Sequence, residues 1–460
     1  MVDIRRINPE IIPFADDIIC AANDSGAEIY FVGGVVRDLL MRRRIHDVDI
    51  TCFGISYTEF AGLLAEKAEA TYVPFKDNVR LVKEGFTIDV SKPRGETIEA
   101  DLQKRDFTIN NLALTLKGDI IGDSYDLENG LIRHVYSSVY DDDPLRILRA
   151  FRFVSECGFD IVPETSRLIA EKAEKINSVA KERVYQEIFR FFTGSYFDKA
   201  VNLFFQKTGT SASGQSGTGL FKKTNDSKNS AAYYLFPEIV DSDNIRQNSI
   251  FHRENVLKHS ISVAREIFKI ARGLNIADER RFILITAALL HDCGKKEAWL
   301  KNNRKNFIGH DEIGSRVAAE IMRRLGYPNK YIKRISYLVR QHLKLTIFAV
   351  NGVRKVKLQR FVFENMDEIE DIILLSLADN RVKKFNMKRL YNIILRIRRV
   401  QQEIDMSRTK AVSGFELIDM GVEKGPEVSI LLKEIHFRLA FGYLKSMEDV
   451  KNFLKEIRGK

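Results

Sequence analysis

The runs that read as β-strand all sit at one end of this chain. Ile29–Val32, Val48–Thr51 and Phe86–Val90 are short, rich in β-branched residues and fall within the first 135 residues or so. Branched side chains with a restricted χ1 suit a pleated, half-buried surface. From Asp143 onward the pattern changes. Leu145, Leu148, Phe151 and Val154 recur at three- and four-residue spacings, and a second amphipathic run covers 184–205. That is the period of a helix with one buried face. A sheet is therefore expected only at the N-terminus, with helices behind it. The chain has 460 residues, too many for one core. We expect a multidomain α+β protein: an α/β head with a small mixed sheet over 1–140, a helical neck over 141–207, and helices over 236–400 and 401–460. Between them, Thr208–Gly219 is built from Gly, Ser and Thr and continues into a polar stretch. Such a segment buries too little apolar surface to order itself, so 208–235 reads as a flexible insertion.

Lys and Arg exceed Asp and Glu by ten, and the basic residues are spread over the whole length. That balance suits a polyanionic partner such as nucleic acid, although a solvated basic surface accounts for it too. Cys20, Cys52, Cys157 and Cys293 are far apart and form no CxxC pair, which argues against a disulfide framework or a thiolate zinc site. No signal-peptide core opens the chain and no apolar run is long enough to span a bilayer, so the expected setting is the cytoplasm, without a membrane partner.

Two local patterns carry chemistry. In Val32-Gly-Gly-Val-Val-Arg-Asp38 a strand runs into a helix through two glycines. A glycine lets the backbone approach a bound group closely, and the following helix N-terminus offers free N–H groups suited to phosphate. Taken alone it is also an ordinary tight strand–helix turn. Downstream, in His46-Asp-Val-Asp-Ile50, Asp47 and Asp49 alternate and so leave one face of a strand, while Val48 and Ile50 point to the other. Adjacent carboxylates repel unless a hard divalent cation such as Mg²⁺ neutralises them, and two-metal sites use this arrangement for in-line attack on phosphate. Asp89, in the strand Phe86–Val90, alternates correctly to be a third carboxylate.

The order Gly33-Gly34, Arg37-Asp38, Asp47-Val-Asp49 resembles the class II tRNA nucleotidyltransferase and poly(A) polymerase family of the DNA polymerase beta superfamily. Further motifs follow in that family's order. Arg105-Asp-Phe-Thr-Ile-Asn110 resembles its RRDFTxN motif, with Lys104 in place of the first Arg. Asp126-Leu with Gly130-Leu-Ile-Arg133 resembles its hinge. Asp142-Asp-Pro-Leu-Arg146, continuing to Arg149, Arg152 and Phe153, resembles its EDxxR…RAxRF motif, with Asp142 where Glu is usual. Together these cover about the first 200 residues. The resemblance implies a nucleotidyltransferase head that binds Mg²⁺ at Asp47 and Asp49, with Asp89 as a third catalytic carboxylate. It implies nucleotide contacts from Gly34, Arg37 and Arg105, base reading by Asp143 and Arg146, and triphosphate contacts from Arg149 and Arg152. Residues three apart share a helix face, and a carboxylate beside an Arg can imitate a complementary base edge. The implied reaction extends the 3′ end of tRNA from CTP or ATP without a nucleic-acid template and releases pyrophosphate. Members that add the full CCA carry a long flexible loop before the RRDFT motif. Here Ser91–Arg94 leads almost at once into Gly95–Leu102, so addition of C residues alone is the expectation.

A second set lies in the other half: His259, His291-Asp292, His310, His342 and Asp379. An adjacent His and Asp at a helix end can share one metal, and this N/O donor set suits a borderline divalent transition ion. The order resembles the HD phosphohydrolase superfamily, and Gly309-His310 through Gly314 matches its GHxxxG. The resemblance assigns 236–400 to a metal-dependent HD domain and 401–460 to a helical tail in possible tRNA contact, where Val412–Leu417 and Gly425-Pro426 are similar to the family's C-terminal motif. Two other readings compete with the tRNA nucleotidyltransferase: a poly(A) polymerase, and an HD phosphohydrolase with an inactive head.

Overall fold

The computed structural model describes residues 14–45, 47–206, 230–245 and 254–458. The chain divides into two compact units, Met1–Asp241 with Arg323–Tyr327, and Ser242–Met322 with Pro328–Lys460. Among the described residues no helix is long and apolar enough to cross a membrane.

The first unit is built on a seven-stranded mixed sheet. Its strands are β1 (Glu28–Val32), β2 (Asp47–Phe53), β3 (Thr71–Pro74), β4 (Asn78–Lys83), β5 (Phe86–Ser91), β6 (Ala113–Thr115) and β7 (Ile120–Ile121), in spatial order β3-β4-β5-β2-β1-β6-β7. β2 and β5 run parallel, with Asp47 opposite Thr87 and Asp49 opposite Asp89; the other pairs are antiparallel. The alternation read from sequence decides the two faces. Val48, Ile50, Val79, Leu81, Ile88 and Val90 are buried, packed with Phe60, Ala61 and Leu64 of the helix Tyr57–Lys67 in the core. Burying each such aliphatic side chain is worth roughly 1.5–3 kcal/mol. Ser56 starts that helix by accepting the Glu59 N–H at 3.1 Å. The opposite face carries Asp47, Asp49, Thr87, Asp89 and Arg80, each at least partly open to solvent.

Two short parallel strands, β8 (Leu131–Ile132) and β9 (Asp160–Ile161), bracket the helix Arg146–Cys157. That helix buries Ile147, Leu148, Ala150, Phe151, Phe153 and Val154. Phe151, Phe191 and Phe204 pack edge to face or tilted, with centroids 5.1–6.5 Å apart, tying it to the helices Lys181–Thr193 and Phe197–Phe205. Of the segment 208–235, residues 208–229 lie outside the described residues. Ala231–Leu235, inside the expected insertion, is a helix with Ala231, Ala232 and Leu235 buried.

The second unit is helical. Asp278–Leu290 is its central helix, buried from Phe282 to Leu290, and it packs against Val256–Gly273, Asn329–Gln341 and Ile369–Val382. A separate cluster of Val412, Leu417, Val422, Ile435, Leu439, Val450 and Leu454 forms the core of the tail.

Candidate active site and metal centre

The register of β2 against β5 places Asp47, Asp49 and Asp89 on one open sheet face. Thr87 donates its hydroxyl to Asp47. Asp49 is half-buried, and its pKa is pushed up to about 6, first by burial, then by the charge of Asp89 and that of Asp47, with Arg105 and Arg149 opposing. A carboxylate in that position accepts a cation readily, because a cation relieves the repulsion that a proton otherwise relieves. Asp89 is already engaged. Arg80, its direct cross-strand neighbour, donates Nε to Oδ1 at 2.9 Å and Nη2 to Oδ2 at 2.7 Å, and Asn78 donates to Oδ1 at 3.3 Å. As placed, Asp89 is the partner of a guanidinium and not a free third ligand. The sequence reading missed Arg80, although the turn at Glu84-Gly85 fixes the pairing that brings it there.

The glycine turn leads from β1 into the helix Gly34–Leu40. Gly33, not Gly34, is the position the backbone demands. Gly33 has φ +70°, and a Cβ there would stand 3.0 Å from Arg105 Nη1. At Gly34 an added Cβ would make ordinary contacts of 3.7 and 3.8 Å with Arg37 and Asp49. Arg105 donates to Asp101 Oδ2 through Nε at 3.1 Å and Nη2 at 2.7 Å, while Asp101 also accepts the Arg94 N–H at 2.8 Å. The short segment after β5 is thus anchored to the carboxylate that orients Arg105.

The neck residues differ from a simple shared face. Asp143 precedes the helix in an extended conformation instead of lying on it. Its carboxylate accepts the Leu145 N–H at 3.2 Å and pairs with Arg183 at 2.8 Å. Arg146 donates to the Tyr136 hydroxyl and lies over that ring. Arg149 donates Nε to Asp106 at 2.7 Å. Two expected nucleotide contacts are corrected by burial. Arg152 is 3% exposed, with Nε 3.0 Å from Glu187, and its pKa falls to about 10 because it is buried. Arg37 is 6% exposed, bonded to Asn110 Oδ1 at 2.8 Å and to Asp38. Both brace the frame around the site, because their helix faces turn into packing.

In the second unit the six predicted ligands converge. His259 Nε2 lies 3.0 Å from Asp379 Oδ1, and His291 Nε2 lies 3.1 Å from Asp292 Oδ2 and 3.6 Å from Asp379. His310 and His342 approach Asp292 Oδ1 at 3.3 and 3.8 Å. His291, His310 and His342 each turn Nδ1 to the carbonyl three residues back, at Ala288, Phe307 and Val339. That bond fixes Nδ1–H and leaves the Nε2 lone pair facing inward. None of these three Nε2 atoms makes a hydrogen bond among the described residues, a costly state for buried nitrogen unless a cation takes the lone pairs. His259, His291 and Asp379 form one metal-compatible triad, and His291, Asp292 and His342 a second. Gly294 permits this closeness, since a Cβ there would stand 2.3 Å from the His310 carbonyl oxygen. Lys295 on Asp292, at 2.7 Å, and Lys383 on Asp379, at 2.6 Å, were missed. Their i+3 and i+4 spacings from the two aspartates were the available signal.

Comparison with known proteins shows what the chain is similar to. Residues 29–87 match the model "Poly A polymerase head domain", residues 158–207 "Probable RNA and SrmB- binding site of polymerase A", and residues 256–381 "HD domain". A CC-adding tRNA nucleotidyltransferase from Halalkalibacterium halodurans is 38% identical over 41% of this chain; the match spans about half (50%) of that relative's length. A CC-adding tRNA nucleotidyltransferase from Thermus thermophilus is 26% identical over 93% of each chain. A solved CCA-adding enzyme in complex with ATP superposes with TM-score 0.65 over 99% of this chain and 97% of its own, at 20% identity, which establishes the shared fold. Head, RNA-binding segment and HD motif occur here in one chain and in that order: the chain carries a poly(A) polymerase-type head domain with an HD domain behind it.

Proposed function

We propose that this chain extends the 3′ end of tRNA with C residues, or C and A, from CTP and ATP, and that Asp47 and Asp49 hold the Mg²⁺ ions. The observation that carries the reading is the pair of carboxylates on an open sheet face beside the Gly33 turn. When bound, Mg²⁺ neutralises the triphosphate and the attacking oxygen. Asp47 and Asp49 orient it, Thr87 steadies Asp47, and Arg105, set by Asp101, supplies a fixed positive charge beside the turn. Asp143 and Arg146 are the base readers, and Arg149 faces the same site. The tRNA 3′-hydroxyl attacks the α-phosphate and pyrophosphate leaves. Intact Asp47 and Asp49 disfavour an inactive head.

Addition stops after two C residues in this reading. Residues 92–97 alone link β5 to the helix Ile98–Leu102, and Arg94 is tied to Asp101. Such a segment is too short and too anchored to serve as a lever that resets the base pocket for adenine. The HD centre is proposed to hold one or more borderline divalent ions and to hydrolyse a phosphate ester in the same cytoplasmic enzyme. The deciding assay incubates tRNA lacking CCA with CTP, ATP or both and sizes the product. Two added C residues are expected with CTP and with the mixture. Efficient A addition to tRNA ending in CC makes it a full CCA-adding enzyme, and long A tails on a generic RNA with ATP alone make it a poly(A) polymerase.

A further inference from the structure

Arg146 is held by a chain of hydrogen bonds with a fixed direction. Its Nη1 donates to the Tyr136 hydroxyl at 2.6 Å, and that hydroxyl donates to Asp142 Oδ2 at 2.7 Å. A phenol has one proton to give, so Tyr136 receives from the guanidinium and gives to the carboxylate. Its ring also lies under the guanidinium, 5.8 Å from Cζ to centroid. The remaining contacts of Arg146 are long ones, Nη1 to the Val139 carbonyl at 3.4 Å and Nη2 to the Lys104 carbonyl at 3.3 Å. Its Nε–H and second Nη2–H make no hydrogen bond among the described residues. Those free donors form the edge that a base can meet.

We propose that Tyr136 is a positioning and specificity-determining residue, which transmits the charge of Asp142 to Arg146 and fixes the edge that Arg146 offers to the incoming base. The proposal rests on the reading of Arg146 as a base reader. Its physical content is a reach. Asp142 stands where the motif usually has Glu, one methylene longer, and the Tyr136 hydroxyl spans the gap in this chain. Bonds that involve a charged partner are stronger and more directional than neutral ones, and a guanidinium with one short anchor and two long ones turns once the short anchor is lost.

The test uses the full chain with Mg²⁺, tRNA lacking CCA, and each of the four nucleoside triphosphates. Tyr136→Phe removes only the hydroxyl and keeps the ring. Its kcat/KM for CTP is expected to fall about tenfold, the size of one charge-assisted hydrogen bond, chiefly through KM, and its use of UTP relative to CTP is expected to rise by a similar factor. Asp142→Glu added to Tyr136→Phe lets the longer acid reach Arg146 directly and is expected to restore most of the base choice. Arg146→Ala is the control for the underlying reading; unchanged base choice in that variant rejects Arg146 as a reader, whatever Tyr136 does. If Arg146→Ala loses base choice while Tyr136→Phe stays within twofold of the parent, the Tyr136 role is wrong. A double variant as permissive as Tyr136→Phe alone likewise overturns the relay from Asp142.

Discussion

Replacing Asp106 should loosen the neck helix from the head, by an amount that follows from its contacts. Asp106 is 5% exposed. Its Oδ1 accepts the Phe107 N–H at 2.9 Å and the Asn110 amide at 3.0 Å, and its Oδ2 accepts Arg149 Nε at 2.7 Å. Asn110 in turn accepts from Arg37. One carboxylate thus ties the helix after the glycine turn, the Thr108–Asn110 turn and the helix Arg146–Cys157. Two bonds from uncharged donors at about 1 kcal/mol each and one from the Arg149 guanidinium at about 2 kcal/mol sum to about 4 kcal/mol. The Arg149 side chain is 35% exposed and can regain water, which lowers the expected cost of Asp106→Ala to about 3 kcal/mol. Asp106→Asn keeps the Phe107 bond but turns an amide donor or a weaker acceptor toward Arg149, at about 2 kcal/mol. With a urea slope of roughly 1–3 kcal/mol per molar, the midpoint of the first unit moves down by about 1–3 M for Asp106→Ala and about 0.7–2 M for Asp106→Asn. Far-UV circular dichroism together with hydrogen exchange at 107–110 and 146–157 reads that transition. Trp299, the sole tryptophan, reports the second unit by fluorescence and should not move. The pH dependence gives an independent check. Burial alone would raise the Asp106 pKa, but Arg149, Asn110 and the Phe107 N–H hold it well below the usual carboxylate range. For an acid depressed in the folded state, the stabilisation is complete above the unfolded pKa of about 3.9 and is lost as pH falls toward the folded value. The gap between parent and Asp106→Asn should therefore be constant from pH 8 to about pH 5 and close only in stronger acid. A shift below roughly 0.3 M for Asp106→Ala, or a gap that closes near pH 6, would refute the network.

Asp49 should behave in the opposite sense. Its pKa is raised from 3.8 to about 6 in the folded head, so its ionisation destabilises the metal-free fold fully above about pH 6 and not at all well below pH 4. Asp49→Asn in EDTA is expected to be about 1–2 kcal/mol more stable than the parent at pH 8, after discounting the shift for solvent screening, and equal at pH 3.5; urea titrations at the two pH values check it. For the parent, Mn²⁺ affinity measured by electron paramagnetic resonance should fall about tenfold per pH unit below 6, and a flat profile contradicts a proton–metal competition at Asp49. Arg80→Ala should release Asp89 and tighten Mn²⁺ binding several-fold; unchanged affinity means that Asp89 does not face the metal. His291→Ala with Asp292→Ala should remove metal bound by the second unit, measured by elemental analysis, while nucleotide addition persists, and loss of both in a folded variant argues against independent sites.

What the sequence determined is what periodicity and local order can carry. Alternation put Asp47 and Asp49 on one face of their strand, opposite Val48 and Ile50, and Asp89 opposite Ile88 on its own strand, because strand geometry fixes side-chain direction every second residue. The order of His259, His291, Asp292, His310, His342 and Asp379 along the chain, through its resemblance to the HD superfamily, also picked them out, and the fold brings them within a few ångströms of one another. Local reading failed where a side chain's fate depends on a partner distant in sequence. Arg152 looked available because spacing says which residues share a helix face, and Arg37 because it matches a family motif, but neither signal says which side chain is packed away; Glu187 and Asn110 decide that. Asp89 looked like a free ligand until β4 laid Arg80 across it. The Tyr136 relay was equally invisible, since nothing in Tyr136 or Asp142 alone announces a shared hydrogen bond to Arg146. Periodicity encodes direction, whereas charge pairing and burial are properties of packing, and only the tertiary structure shows which carboxylates an arginine already holds.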